Sequence, residues 1–360
     1  MSMASGNRVF LFLSILVGLV LFVAPSSFAQ TSTNYRIWTD VIAGGGGESA
    51  SPNYLSFSTL GQPSPLGPSN SNGYFDYPGL IYSLEGIPIN SCVVDFNGDG
   101  KSDIVWRNIA TGRTTIWYLD GVTWNGGFAD VEPTLSDPNW SIVGVADFNG
   151  DNHPDLLWRN TSTGRTTIWY MDGPAWNGGY ADVLPTLNDP NWSIVGIADF
   201  NKDGNPDLLW RDASTGRTTI WYMTGPTWNG GFADVLPTLN DPNWSIVGLA
   251  DFNGDSNPDL LWRDASTGRT TIWYMSGPTW NGGYADVLPT LSDPDWQIVA
   301  IRDFNNDRSP DLLWRNTSSN PANPNAYRTT VWYMDGPVWN GTWGDLLPTV
   351  SDPNWIIVGR

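Results

Sequence analysis

The sequence predicts an all-β protein, a β-propeller of about five four-stranded blades. Three observations carry this expectation. An acidic loop begins at Asp95, Asp147, Asp199, Asp251 and Asp303, so the chain repeats every 52 residues; that period marks solenoids, propellers and arrays. Each unit holds about four short runs rich in Val, Ile, Thr, Trp and Tyr, punctuated by Gly, Pro, Asn and Asp, which is strand-and-turn composition. No 3.6-residue helical pattern runs through the repeats. The alternative is a linear β-solenoid, whose coils are usually shorter and more regular.

Residues 1–29 read as a secretory signal peptide. Arg8 supplies the positive start, Val9 to Ala24 is apolar, and Ser27-Phe28-Ala29 offers a small-residue cleavage site before Gln30. The apolar run of about 16 residues is short for a membrane span, and no other long apolar run follows. Residues 30–90 form a lead segment outside the repeat. Tyr35 to Ile42, Tyr54 to Leu60 and Tyr74 to Leu84 read as three strands, set apart by Gly44 to Gly47 and the Pro/Ser/Gly stretch Gln62 to Asn72. Cys92, the one cysteine, precedes Val93-Val94 in a short expected strand. It excludes an internal disulfide and reads as a small buried residue.

The propeller spans residues 91–360, and one copy shows its grammar. Ser193 to Ala198 is the first strand, and its small Gly196 and Ala198 suit the crowded axis of a ring. The acidic loop runs from Asp199 to Asp207. Leu208 to Arg211 is the second strand, Ser214-Thr215-Gly216 a turn, and Arg217 to Met223 the third strand. Trp228-Asn229-Gly230-Gly231 reads as a loop, Phe232 to Leu239 as the fourth strand, and Asn240 to Asn243 as the turn into the next copy. After five copies, Ile356 to Arg360 starts a sixth first strand, and the chain stops. A lone strand leaves unpaired backbone groups. Either it completes a five-bladed ring beside the strand at Cys92 to Val94, or it joins the lead strands as a sixth, composite blade. The first reading, with the lead segment as an accessory, is the one favoured.

Each acidic loop has the form D-x-N-x-D-x-x-x-D. The candidate metal ligands are Asp95, Asn97, Asp99 and Asp103; Asp147, Asn149, Asp151 and Asp155; Asp199, Asn201, Asp203 and Asp207; Asp251, Asn253, Asp255 and Asp259; and Asp303, Asn305, Asp307 and Asp311. Hard oxygen donors at positions one, three, five and nine, with a main-chain carbonyl at position seven, suit Ca2+. Position seven is then free to vary, and it holds Lys101, His153, Asn205, Asn257 and Ser309. Position six calls for a sharp turn, which Gly100 and Gly204 favour, Asn152 tolerates, and Ser256 and Arg308 resist. Loops one and three are expected to bind best and loop five worst. The flanks are strands and position twelve of loop three is Trp210, so this is not an EF-hand. Without an ion, three carboxylates within nine residues repel one another.

The loop followed by Pro-Asp-Leu-Leu-Trp-Arg, as in Asn205 to Arg211, resembles the FG-GAP/VCBS repeat of integrin-α-like propellers. The resemblance covers about residues 91–360. It implies calcium loops joining the first two strands of each blade on one face of the ring. It also implies a secreted or cell-surface protein that binds proteins or glycans. The chain departs from the pattern in its low copy number and in lacking Gly at position six of loops two, four and five.

Tryptophan is the second signal. Of 22 Trp, 20 keep the repeat register, all but Trp38 and Trp343. Trp106, Trp158, Trp210, Trp262 and Trp314 sit in second strands and are expected to pack between blades. Trp124, Trp176, Trp228, Trp280 and Trp339 precede Asn-Gly and read as loop residues. They are either anchors tucked between blades or platforms on which a sugar ring stacks. Two arginines per copy, such as Arg211 and Arg217, are expected to pair with Asp or lie on aromatic faces.

The formal net charge is -19, and 33 of the 36 acidic residues are Asp. That charge disfavours a nucleic-acid partner, which needs Lys and Arg clusters. His153 is the one histidine, so Ser-His-Asp, Cys-His and histidine–zinc machinery have no basis. The loop carboxylates recur in near-identical settings, unlike the paired acids of a glycosidase. The chain is therefore expected not to be an enzyme. It reads as a secreted or cell-surface calcium-binding propeller that binds protein partners in adhesion. A protein ligand would exploit what differs between blades, such as the seven-residue insertion at Asn320 to Ala326. The alternative is a multivalent lectin using the loop tryptophans.

Overall fold

In the computed structural model, the described residues are 31–32, 35–41, 46–51 and 54–59, as backbone, and 93–359 in full. The expected signal segment, the strand at Tyr74 to Leu84 and Cys92 lie outside them. The chain divides into two units, Met1–Ile87 and Pro88–Arg360. No helix among the described residues is long and apolar enough to cross a membrane.

The first unit holds an antiparallel meander of β1 (Thr31–Ser32), β2 (Tyr35–Val41), β3 (Gly46–Ser51) and β4 (Tyr54–Thr59). Strands β2 and β4 match two expected runs. Strand β3, Gly-Gly-Glu-Ser-Ala-Ser, takes Gly46 and Gly47 from the expected turn and Glu48 to Ser51 from outside any expected strand. It carries no β-branched or aromatic residue, and its strand state comes from pairing on both sides, with Glu48 opposite Thr39 and Phe57.

The second unit is a five-bladed β-propeller. Blade two comprises β8 (Trp140–Ala146), β9 (Asp155–Asn160), β10 (Thr166–Asp172) and β11 (Ala175–Asp182). Blade three comprises β12 (Trp192–Ala198), β13 (Asp207–Asp212), β14 (Thr218–Thr224) and β15 (Thr227–Asp234). Blade four runs β16 (Trp244–Ala250), β17 (Asp259–Asp264), β18 (Thr270–Ser276) and β19 (Thr279–Asp286), and blade five β20 (Trp296–Arg302), β21 (Asp311–Asn316), β22 (Thr329–Asp335) and β23 (Val338–Asp345). Blade one takes β5 (Ile104–Asn108), β6 (Thr114–Asp120) and β7 (Thr123–Asp130) from the start of the repeat region, and β24 (Trp355–Val358) from the C-terminus.

Strand β24 pairs antiparallel with β5, Trp355 opposite Asn108 and Val358 opposite Val105. The last strand therefore closes a five-bladed ring and does not build a composite sixth blade. Val93 and Val94 are not in a strand. In register they stand where Ile197 and Ala198 continue β12 in blade three, so the inner edge of blade one is shared between the two ends of this unit.

The inner strands form a closed cycle, β8, β12, β16, β20, β24 and back to β8. Small residues let them approach: a Cβ on Gly196 would stand 2.3 Å from Leu249 Cδ1, and one on Gly144 2.0 Å from Ile197 Cδ1. The axis is nearly filled. A cavity of about 30 Å³ beside Val145, Val195 and Arg302 has room for a water or two.

Five apolar cores fill the gaps between consecutive blades. Second strands are buried along their length, and alternation sends successive residues into opposite gaps. Leu156 and Trp158 face blade one, whereas Leu157 faces blade three.

The fourth strand is shifted from expectation. Trp228 to Gly231 lies inside β15, and Val235 to Leu239 lies outside any strand. Asn229 Oδ1 accepts from the Gly231 amide at 2.8 Å, and the register slips between Trp221 and Met223. Asn-Gly-Gly is thus a bulge within a strand and not a loop between strands.

Candidate functional site

Each acidic loop joins the first and second strands of a blade, and the 20 predicted ligands fall into five separate clusters of four. Loop one shows the pattern. Asp95 Oδ1 accepts from the amides of Asn97, Gly98 and Asp99 at 3.2, 2.7 and 3.2 Å. Its Oδ2 accepts from the Gly100 amide at 2.6 Å. Asn97 Nδ2 donates to Asp99 Oδ2 at 3.2 Å, and Asp99 Oδ1 accepts from the Lys101 amide. The carboxylate at position nine is different in kind. Asp103 is buried, its Oδ2 accepting from the Phe96 amide at 2.8 Å and its Oδ1 from the Leu119 amide at 3.2 Å. Asp155, Asp207, Asp259 and Asp311 repeat both bonds. Each therefore ties the loop to the third strand.

Burial pushes the pKa of all five position-nine carboxyls up to about 7, and the carboxylates at positions one and five of the same loop add to the rise. The loops thus carry the like-charge strain that a cation relieves. The donors are all oxygen, which fits a hard cation in chemistry. In arrangement they are engaged by amides, and among the described residues no three Asp, Glu, His or Cys side chains converge as a metal group.

Position six is left-handed in every loop, with φ of 78° at Gly100, 67° at Asn152, 84° at Gly204, 63° at Ser256 and 73° at Arg308. Position four is left-handed too, and the sequence reading missed it: Lys202 has φ 62° and Asn306 φ 59°, where loops one, two and four have Gly. Position seven is not idle. Lys101 Nζ donates to Asp120 Oδ1 at 2.9 Å. His153 Nδ1 and Asn205 Oδ1 each accept at 3.0 Å from the glycine amide in the turn between the third and fourth strands. Unlike side chains reach one turn, which is why residue type alone hid the role.

The second candidate surface is aromatic. Trp106, Trp158, Trp210, Trp262 and Trp314 are each 1% exposed, packed between blades as expected. Trp124 lies in β7, half-buried, and its Nε1 donates to Gly127 O at 2.8 Å. It stacks on Trp117 at 5.1 Å and 25°, and Trp117 tilts against Trp106 at 5.4 Å. The same triad, through Trp176, Trp228, Trp280 and Trp339, stands in the other four blades. The predicted loop tryptophans are therefore strand residues anchored by their own indole N–H.

The exposed aromatics are others. Phe128, Tyr180, Phe232, Tyr284 and Trp343 are 52–59% exposed. Each lies directly across the ladder from the middle tryptophan of its triad. In blade one, Trp117, Trp124, Phe128 and Trp355 border a cleft of about 280 Å³. At its rim Arg113 holds Asp130 in a two-pronged pair, both bonds 2.9 Å. The signal for these aromatics was their fivefold recurrence, hidden because Phe, Tyr and Trp alternate at the position.

The other repeated arginine turns inward. Arg107 Nη1 donates to Gly112 O and Thr114 Oγ1, and Nη2 to Leu135 O at 2.8 Å. Its guanidinium lies 4.7 Å over Trp158 of the next blade. Arg159, Arg211, Arg263 and Arg315 cover Trp210, Trp262, Trp314 and Trp106 at 4.7–4.9 Å. The contacts close a circle of five.

A family profile described as FG-GAP-like repeat matches four times, at residues 95–158, 147–210, 199–262 and 251–314. No curated protein matches. Among solved structures, YCF48 from Cyanidioschyzon merolae is similar at 10% identity and a TM-score of 0.32, over 65% of this chain and 66% of that one. The Chaetomium thermophilum Nup170 N-terminal domain–Nup53 complex is similar at 10% identity and a TM-score of 0.26, over 62% of this chain and 37% of that one. Neither likeness carries an argument about this chain.

Proposed function

This chain belongs to the FG-GAP-like repeat family, and on that premise we propose that it is an adhesion-type, ligand-binding propeller working outside the cytoplasm, with calcium stiffening its acidic loops. One observation carries the binding reading: each blade leaves one large aromatic more than half exposed at the same position. The fold draws little from a wet aromatic, and recurring apolar surface rimmed by polar groups marks an interaction site. The signal-like segment at residues 1–29 supports export.

Calcium would be held by the oxygen donors at positions one, three, five and nine and would exchange their amide hydrogen bonds for ion contacts. The ion supplies charge neutralisation and loop stiffness, and no catalytic role is assigned to it. Left-handed strain ranks the loops. Loop one, with Gly98 and Gly100, is best placed, and loop five, with Asn306 and Arg308, worst. Calorimetric titration of the mature protein with Ca2+ tests this, and absence of any calcium heat in folded protein would refute it.

Blade five supports a second reading, a protein partner. The insertion is an ordered turn cluster, with Asn323 N donating to Asn320 O at 2.9 Å and Ala326 N to Asn323 O at 3.1 Å. It leans on Asp295, the residue that replaces the Asn found in the other blades.

Arrays of glycans and of extracellular proteins, probed with calcium-loaded protein, separate the readings. Binding lost on Phe128/Tyr180/Phe232/Tyr284→Ser assigns the aromatic ring. Binding lost only on deleting Asn320 to Ala326 assigns the insertion. No binding to either array overturns the ligand-binding proposal.

A further inference from the structure

We propose that the cleft of blade one, with its counterparts on blades two to four, binds the apolar face of a neutral pyranose ring, which makes the propeller a multivalent carbohydrate binder. This rests on the ligand-binding reading above and names its ligand class. Four features of the cleft point the same way.

The first is shape and size. Trp117 and Trp124 stack at 25° to each other, and Phe128 stands 52% exposed beside them. The walls are flat, rigid and apolar. A volume of about 280 Å³ falls just below the range of drug-sized ligand pockets, about 300 to 1,000 Å³. That suits one sugar ring better than a segment of folded protein. A pyranose with equatorial hydroxyls turns the axial C–H bonds of C1, C3 and C5 to one face, and that face stacks on an aromatic ring.

The second is a donor without an acceptor. Trp106 lines the cleft, and its buried indole N–H has no hydrogen-bond partner; Trp158, Trp210, Trp262 and Trp314 repeat this. Unpaired buried donors are rare. The Trp106 nitrogen is sealed from the cleft in the ligand-free fold, so a ring or hydroxyl oxygen would meet it only once the wall at Trp106 and Trp117 shifts.

The third is charge. Arg113 is matched in two bonds by Asp130. The rim can hydrogen-bond hydroxyls but offers no net charge to an ionic ligand, so the class is a neutral sugar.

The fourth is repetition. Polysaccharides present the same small epitope many times, and the same Trp triad with an exposed Tyr180, Phe232 or Tyr284 recurs on blades two to four, so sites on one ring would convert weak single contacts into avidity. Blade five departs. Arg328 lies 4.7 Å over Trp343, whereas in blades one to four the matching arginine lies 5.7 Å over an inner-strand tryptophan. The cation occupies one face of Trp343, so blade five is expected to drop out and leave four working clefts.

The test is titration of the mature, calcium-loaded chain with methyl β-glucopyranoside, methyl β-galactopyranoside and methyl α-mannopyranoside, read by tryptophan fluorescence and calorimetry. A glycan array carries the multivalent form. The expected result is saturable binding of at least one glycoside at four clefts per chain. Phe128→Ser removes one of the four with the unfolding midpoint unchanged, and Phe128/Tyr180/Phe232/Tyr284→Ser removes all. Trp343→Ser leaves binding intact. Natively folded protein that binds no glycoside and no array glycan overturns the proposal, as does sugar binding that survives the fourfold variant. A blank glycan array beside aromatic-dependent binding on a protein array overturns the sugar and keeps the ligand-binding reading. Two blank arrays overturn both.

Discussion

Arg211 serves three elements at once. Its Nη1 donates to Gly216 O at 2.8 Å in the turn between β13 and β14, its Nη2 donates to Leu239 O at 2.8 Å in the connector to blade four, and its plane lies 4.8 Å over Trp262. Burial pulls its pKa down. Replacing it by Met keeps the length but takes the guanidinium donor from the buried Gly216 carbonyl and the part-buried Leu239 carbonyl, an unmet buried group costing about 1–3 kcal/mol. Arg211→Met should therefore lower the denaturant midpoint by the equivalent of at least about 2 kcal/mol, with the slope unchanged. Arg211→Lys should lose most of the same stability, because an ammonium cannot reproduce the planar fork. A lysine variant as stable as the parent would refute this assignment. At Lys202, left-handed strain of about 1 kcal/mol outweighs the roughly 0.5 kcal/mol entropic cost of glycine. Lys202→Gly should raise the calcium-free melting temperature slightly, and a fall would show that the loop draws on the lysine side chain.

At the scale of the element, β24 decides closure. It is four residues long where the other inner strands have seven, and it covers β5 from Val105 to Asn108. Deleting Trp355 to Arg360 opens that edge and strips Ile357 from the core between blades five and one. The truncated chain should lose its cooperative unfolding transition and associate, as seen by calorimetry and light scattering. A monomer with an unchanged melt would mean that blade one closes some other way. Close approach of inner strands gives a second handle. Gly196→Val would drive a side chain into Leu249, and overpacking of this kind costs about 1–3 kcal/mol. Gly230→Ala tests the bulge in β15, since its φ of 91° suits only glycine. It should be destabilising although no atom lies within 4 Å of the added methyl.

At the scale of the molecule, the five guanidinium–indole contacts and the cycle of inner strands make every blade depend on both neighbours. Calcium held as proposed would act on the same ring from its loops. At 100 times Kd, one independent site adds about 2.7 kcal/mol, so several filled loops should raise the melting temperature markedly, and EDTA should reverse it. Identical melts in calcium and EDTA would place the acidic loops among the purely self-bonded turns.

Much of this was legible from residues alone. The period, the strand count per unit, the buried Trp210 series and the left-handed position six follow from local rules: alternation, turn chemistry and the φ that a tight loop demands. What local rules could not supply is who sits beside whom. The bulge at Asn229 to Gly231 exists because Trp228 pairs with Met223 and Phe232 with Trp221. The last strand belongs to the first blade because its backbone groups find β5. Arg107 meets Trp158, and Arg315 meets Trp106, because alternation on buried strands aims them across a gap that only ring closure creates. A five-unit β-propeller with an acidic loop in each unit follows from the order of residues, since those features depend on neighbours in the chain. Closure, the inter-blade cycle and the choice of aromatics that face water arise only in the folded ring, since those depend on neighbours in space.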